Sequence, residues 1–188
     1  MRIISGKLKG SSLYMPKNKT TRPLKDIVRE SVFNLLKHSN KISFKIEKSH
    51  ILDLYSGTGS FGLECLSRQA QNVYFVEKEK NAINLVNENI IRCEAQSDTT
   101  VIQGTYPAVF EDERRPQFDL MFFDPPYGFN ERKIGDILSA SFHNLRDGGK
   151  VIIETTKRNA YSEVDQVVFE RRVRSGDSAL DFYVKERA

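Results

Sequence analysis

From residue 49 onward, short apolar runs alternate with segments whose apolar residues recur at helical spacing. The runs predict strands over 49–54, 72–77, 99–103, 118–123 and 150–154. The intervening patterns predict helices over 60–69, 79–92 and 131–144. Strictly alternating strands and helices imply a parallel sheet covered on both faces. The end of the chain breaks the pattern. Residues 164–173 and 179–186 read as two strands joined by Arg174-Ser175-Gly176-Asp177-Ser178, a hairpin. Before residue 49, Ile3, Ile4, Leu8, Leu13 and Tyr14 alternate with basic residues, which suits a folded hairpin better than a free tail. Lys17-Asn18-Lys19-Thr20-Thr21 reads as an exposed loop. A helix follows Pro23, with Ile27, Val28, Phe33, Leu35 and Leu36 available for packing and Lys25, Arg29 and Lys37 facing outward.

Charge sharpens this division. Residues 1–48 hold twelve Lys or Arg against three Asp or Glu, a net of +9. Residues 49–188 hold seventeen against twenty-two, so the overall +4 conceals a basic extension on a mildly acidic body. A basic segment at one end is an electrostatic footprint for a phosphate backbone, although a solvated Lys-rich face is the commoner case. The expected organisation is a basic, RNA-binding extension over 1–48 and a cofactor-binding catalytic domain over 49–188. The 188 residues support one substantial core. No apolar run approaches the ~18 residues of a membrane span, and the first residues lack the apolar stretch of a signal peptide. Cys65 and Cys93 fall in predicted helices without metal-ligand spacing and read as packing thiols of a reducing, cytoplasmic compartment. His38, His50 and His143 are scattered; no metal site is expected.

Two segments carry the chemistry. In Asp53-Leu54-Tyr55-Ser56-Gly57-Thr58-Gly59-Ser60-Phe61-Gly62, an apolar strand runs through a glycine loop into a helix. Gly57, Gly59 and Gly62 match the dinucleotide pattern G-x-G-x-x-G, and Glu77 lies near the ~20-residue spacing at which an acid bonds a ribose hydroxyl. The literal reading is an NAD site. Charge argues for S-adenosylmethionine instead. Asp53, at the mouth of the loop, would repel a pyrophosphate but suits an ammonium and a sulfonium. The methionine carboxylate can use N–H groups at the helix start. The second segment is Phe122-Phe123-Asp124-Pro125-Pro126-Tyr127-Gly128. Its prolines fix φ and carry no N–H, so the chain leaves the strand stiffly. The Asp124 carboxylate and nearby carbonyls can accept the N–H bonds of an amino group conjugated to a ring, and Tyr127 can stack on that ring. Taken alone, this could equally be a strand-ending turn with a solvated Asp.

Together, these motifs resemble a class I methyltransferase that modifies exocyclic amino groups. Met1-Arg2-Ile3-Ile4-Ser5-Gly6-Lys7-Leu8-Lys9-Gly10 and Arg22-Pro23-Leu24-Lys25-Asp26-Ile27-Val28-Arg29-Glu30-Ser31-Val32-Phe33-Asn34 narrow the resemblance to the RsmD family. It covers nearly the whole chain. The resemblance implies a Rossmann-like, mostly parallel seven-stranded α/β sheet with helices on both faces and a C-terminal antiparallel hairpin. It implies S-adenosylmethionine-dependent methylation of a guanine N2 in 16S rRNA, in the small ribosomal subunit or an assembly intermediate. The target-base residues are then Asp124, Pro125, Pro126 and Tyr127. The cofactor residues are Asp53, Gly57, Thr58, Gly59, Glu77, Gly104 and Thr105. The family usually has an Asp after the strand at 99–103, facing the adenine amino group; Gln103-Gly104-Thr105 stands there, so Thr105 or backbone groups take that contact. Arg2, Lys7, Lys9, Arg22 and Arg29 are candidate RNA contacts.

Other readings remain open from sequence. A DNA adenine-N6 methyltransferase can use the same Asp-Pro-Pro-Tyr rim, but little chain is left for a sequence-reading domain. A protein glutamine methyltransferase would carry Asn-Pro-Pro-Tyr and leave the basic extension unexplained. A non-catalytic RNA-binding assembly factor with a vestigial cofactor site would not need Asp53, Gly57, Gly59 and Asp124 intact.

Overall fold

The computed structural model describes residues 1–16, 26–40, 42–110, 116–125, 131–156, 166–175 and 178–187. Among the described residues, four α-helices, α1 (Asp26–His38), α2 (Ser60–Ser67), α3 (Lys80–Arg92) and α4 (Glu131–Ser141), flank seven strands. These are β1 (His50–Leu54), β2 (Asn72–Glu77), β3 (Thr99–Gln103), β4 (Phe118–Phe123), β5 (Leu145–Thr156), β6 (Val167–Ser175) and β7 (Ser178–Lys185). They form one sheet in the order β3-β2-β1-β4-β5-β7-β6. Strands β1 to β5 pair in parallel, while β7 is antiparallel to both β5 and β6. The expected class I methyltransferase architecture is present.

Strand periodicity divides the core into two layers. Ile51, Val73, Phe75, Leu120, Phe122, Ile152 and Phe182 face α1, α2 and α3. Leu52, Leu54, Val76, Met121, Phe123, Val151 and Ile153 face α4 and the Tyr106–Phe110 turn. Both faces of the central strands are apolar, as a covered parallel sheet requires. Ile3, Leu13, Val28, Val32, Phe33, Leu36 and Ile42 belong to the first layer, so the extension shares its core with the sheet.

The N-terminal segment doubles back through a single antiparallel bridge, Arg2 to Ser12, rather than through long paired strands. Its Ile3 N–H bonds Ser11 O, and Leu13 N–H bonds Met1 O. It lies along α2. Glu64, fully buried, accepts Ile4 N–H at 2.7 Å and Ser5 N–H at 3.0 Å. Ser67 O accepts Lys7 N–H at 2.8 Å, and Ser67 Oγ accepts Leu8 N–H at 2.9 Å. Asn89, also fully buried, exchanges hydrogen bonds with the Tyr14 backbone.

Several boundaries and one helix face differ from expectation. Strand β5 starts at Leu145, five residues early. Asp147-Gly148-Gly149 does not end it: Gly148 adopts φ 75° and the ladder to β4 continues across a register shift. Helix α4 stops at Ser141, whose hydroxyl bonds Leu138 O, and a turn follows. The C-terminal strands pair out to Ser175 opposite Ser178. On α1 the assignment is reversed at two positions. Arg29 is fully buried and donates from Nη2 to Arg2 O, whereas Ile27 is 72% exposed. Arg29 is therefore withdrawn as an RNA contact; it ties α1 to the N-terminal segment. The loop at 17–21, Arg22, Lys25, Pro126, Tyr127 and strand positions 164–165 lie outside the described residues.

Candidate active site

Four strand ends converge because the strands holding them are neighbours and run the same way. Leu54 of β1 pairs with Val76 of β2 and Phe123 of β4, and Glu77 pairs with Gln103 of β3. Three strand spacings, roughly 14 Å in all, thus separate the start of Asp124 from Gly104. Ligands of such sheets sit beyond the carboxyl ends of the strands.

The loop after β1 turns sharply. Tyr55, Gly57 and Gly59 have φ of 57°, 54° and 72°. Tyr55 is the costly one, because a bulky side chain rarely adopts that region. Gly62 is needed for a different reason. A Cβ there would lie 2.7 Å from both Phe75 Cζ and Val73 Cγ1, so only glycine lets α2 approach β2 this closely. Phe61 stacks on Phe122 with centroids 3.9 Å apart, locking the first turn of α2 onto the end of β4.

Glu77 organises the loop. Its Oε2 accepts Gly57 N–H at 3.2 Å, and its Oε1 accepts Lys78 N–H at 2.7 Å and Glu79 N–H at 3.0 Å. Its backbone carbonyl accepts Gly104 N–H at 2.9 Å, joining the β3 end to the same rim. Asp53 plays a different part from the one expected. It is only 2% exposed, and its Oδ2 accepts Gly62 N–H at 2.9 Å. It braces the start of α2 from beneath instead of presenting a free carboxylate to a ligand. Burial drives its pKa from 3.8 up to about 8; the Gly62 bond opposes the rise and nearby Glu77 adds to it. Burial and Glu77 likewise push the Tyr55 phenol up to about 12. The Thr58 side chain also turns inward, its hydroxyl 3.8 Å from Met1 Sδ, so only the Thr58 backbone is available to the crevice. Thr105 is exposed, and its carbonyl accepts Val109 N–H. Asp124 and Pro125 are half-buried beside β1, with Asp124 N–H 3.5 Å from Leu54 O.

Two residues that sequence reasoning missed support this crevice. Asn89 Nδ2 donates to Thr58 O at 2.9 Å, pinning the glycine loop to α3. Ser56, 8% exposed, holds a buried hydroxyl that has no hydrogen-bond partner among the described residues. An unpaired buried hydroxyl in the loop fits a polar ligand group arriving there. Neither residue carries a motif signal: Asn89 sits in an amphipathic helix, and Ser56 looks like any turn serine.

A family model described as "Conserved hypothetical protein 95" matches residues 1–184. The Ribosomal RNA small subunit methyltransferase D of Haemophilus influenzae is 31% identical over 159 residues, covering 84% of this chain and 79% of its own. The chain belongs to the RsmD family of methyltransferases. YlbH of Bacillus subtilis is 30% identical over 190 residues, covering 98% of this chain and 99% of its own. Among solved structures, yhhF of Escherichia coli superposes with a TM-score of 0.81 at 23% identity, covering 100% of this chain and 99% of that one, which bears on fold alone. The cofactor of this RsmD-family member is S-adenosylmethionine, and the crevice suits it. Glu77 holds its carboxylate at the end of β2 against the glycine loop, and the loop itself holds the orphan Ser56 hydroxyl. Among the described residues no group of His, Cys, Asp and Glu could hold a metal ion, and no helix is long and apolar enough to cross a membrane.

Proposed function

We propose that the protein transfers a methyl group to the exocyclic N2 amino group of a guanine in the 16S rRNA of the small ribosomal subunit. The observation that carries this reading is the start of the Asp124-Pro125 rim at the end of β4, directly beside the cofactor loop that follows β1. The relative named for ribosomal RNA small-subunit methylation supports the RNA class, and the basic N-terminal segment supports a polyanionic substrate.

S-adenosylmethionine supplies a methyl group already activated on sulfonium. The task left to the side chains is to present a weak nucleophile. The guanine N2 lone pair is delocalised into the ring. The Asp124 carboxylate and a carbonyl near Pro125 accept its two N–H bonds and favour a more pyramidal nitrogen. Asp124 need not remove a proton first, because the proton leaves more easily once nitrogen carries the methyl. Pro126 stiffens the rim, and Tyr127 stacks on the base after it leaves its stack. Glu77 and the backbone of Gly57, Thr58, Gly59, Gly104 and Thr105 would hold the cofactor so that its methyl group is presented to the target amino group. Arg2, Lys7 and Lys9, of which the first two and the last are all exposed, and Arg22 hold RNA phosphates.

The test is methyl transfer from labelled S-adenosylmethionine to 16S rRNA, naked and in small subunits lacking the modification, followed by nucleoside mass spectrometry. N2-methylguanosine is expected. N6-methyladenosine as the product, or transfer only to DNA, would replace the reading.

A further inference from the structure

An open cavity of about 530 Å³ lies away from the crevice, between the N-terminal segment, α1, the 43–47 segment and the end of α2. Ser60 begins α2 at the glycine loop, and Arg68 follows its last turn; eight residues at 1.5 Å each put the cavity about 12 Å along the helix from the cofactor loop. Lys37, Lys45 and Arg68 line it; the one acid in the lining, Glu47, pairs with Lys45 at 3.4 Å, and Phe44 supplies aromatic surface, Phe33 being fully buried beneath Arg68. Its walls are tied together: Phe44 N–H bonds Leu36 O, and Lys48 N–H bonds Gln69 O.

Arg68 is set up more carefully than a surface arginine. Its Nε donates to the buried Glu64 at 2.9 Å, and its guanidinium lies 4.4 Å over the Phe33 ring. That fixes the plane and leaves both Nη groups without a hydrogen bond among the described residues. An ordered fork of this kind suits a phosphate. With Lys45 offset by Glu47 and Arg68 by Glu64, about one positive charge remains at the cavity, more than the roughly half negative charge at the end of α2. The volume falls within the roughly 300–1,000 Å³ of small-ligand sites, enough for one nucleotide.

We propose that this cavity is a second docking subsite for the substrate RNA, holding the phosphate of one nucleotide on Arg68, Lys37 and Lys45 with its base against Phe44. The proposal rests on RNA being the substrate. It gives the enzyme a grip on RNA remote from the target guanine, at the opposite end of α2 from the glycine loop.

The test is the full-length Lys37→Glu/Lys45→Glu variant, both positions being exposed and outside the cofactor site. KM for the RNA substrate should rise about 5- to 20-fold, with kcat within twofold and cofactor affinity unchanged. The log–log salt dependence of RNA binding should become shallower by roughly 0.7–0.9, the value for one phosphate contact. Phe44→Ala, once shown to fold, should raise KM without altering the salt slope. Unchanged KM and slope in the double variant would overturn the subsite. So would an equal loss in Arg171→Glu/Arg187→Glu, exposed positions outside the cavity, since net charge alone would then explain the effect. Saturable binding of GMP at the cavity without any effect of the double variant on RNA would assign it to a free nucleotide instead. If the wild-type protein methylates no ribosomal RNA, the proposed function and the subsite fall together; if it does and the double variant behaves normally, the subsite alone falls.

Discussion

Replacing Glu64 by alanine tests whether the N-terminal segment is held by one buried carboxylate. Glu64 accepts Ile4 N–H, Ser5 N–H and Arg68 Nε–H, and is fully buried. Hydrogen bonds to a charged group are each worth about 1.5–3 kcal/mol, and truncation leaves the donors to find water. Arg68 keeps partial exposure and can resolvate, so its share is small. The two backbone donors then set a loss of about 3–5 kcal/mol, the range seen when one partner of a buried pair is removed. For a chain of this size that lowers Tm by about 6–20 °C. Glu64→Gln retains one acceptor but turns an amide N–H toward a donor, so it should lose about half as much. Urea unfolding gives the magnitude, and amide hydrogen exchange at residues 3–5 gives the place. A loss below about 1 kcal/mol in Glu64→Ala, with exchange at Ile4 and Ser5 unchanged, would mean that Ser67 and the burial of Ile3 and Leu13 hold the segment without Glu64.

Asp53 provides a pH signature: its folded pKa is raised from 3.8 to about 8, so the native state retains a proton that the unfolded chain has lost. The stability tied to that proton is complete below about pH 4 and drains away as pH rises to about 8. Asp53→Asn, which can still accept Gly62 N–H, should flatten the fall of Tm between pH 4 and 8; superimposable wild-type and variant profiles would refute it. Asp124→Ala and Tyr127→Ala should lose most single-turnover methyl transfer while keeping cofactor affinity within a few fold by calorimetry; near-normal transfer in Asp124→Ala would reduce the rim to a strand-ending turn. Reversing charge at Lys7, Lys9 and Arg22 together should weaken RNA binding and make its salt slope shallower without changing cofactor affinity, whereas an unaltered slope in the folded variant would make them a solvated face.

Much of the sheet could be read in advance because central strands such as β1, β2 and β4 are short apolar runs whose carboxyl ends carry a marked residue. Glycines spaced as in a phosphate or nucleoside loop, followed by Glu77, Gly104 and Asp124 at successive strand ends, allow a single crevice to be drawn without coordinates. What could not be read depends on contacts far apart in sequence. Glu64 in a helix looks like a solvated acid until the backbone of Ile4 and Ser5 is laid against it. Asp53 at a loop mouth looks like a ligand partner until Gly62 N–H is found above it. On α1, apolar residues at 27, 28, 32, 33, 35 and 36 spread around more than one face, so periodicity could not say that Arg29 goes in and Ile27 out. The early start of β5 was hidden because Gly148 and Gly149 look the same in a turn as in a kinked strand.

The way the first residues clamp onto α2 and α3 sets a schedule for synthesis. Ile4 and Ser5 wait for Glu64, sixty and fifty-nine positions later, and Tyr14 waits for Asn89, seventy-five later. At about 5–20 residues per second, that is a delay of roughly 3 to 15 s during which the segment has no partner. Helix α1 waits longer still, since β6, which begins only at Val167, lies against it. A stretch of net charge +9 therefore leaves the exit tunnel early and stays undocked beside ribosomal RNA until most of the chain has followed. Nascent chains halted before residue 64 should be protease-sensitive throughout this stretch, and chains long enough for Asn89 to have left the tunnel should gain protection up to Tyr14.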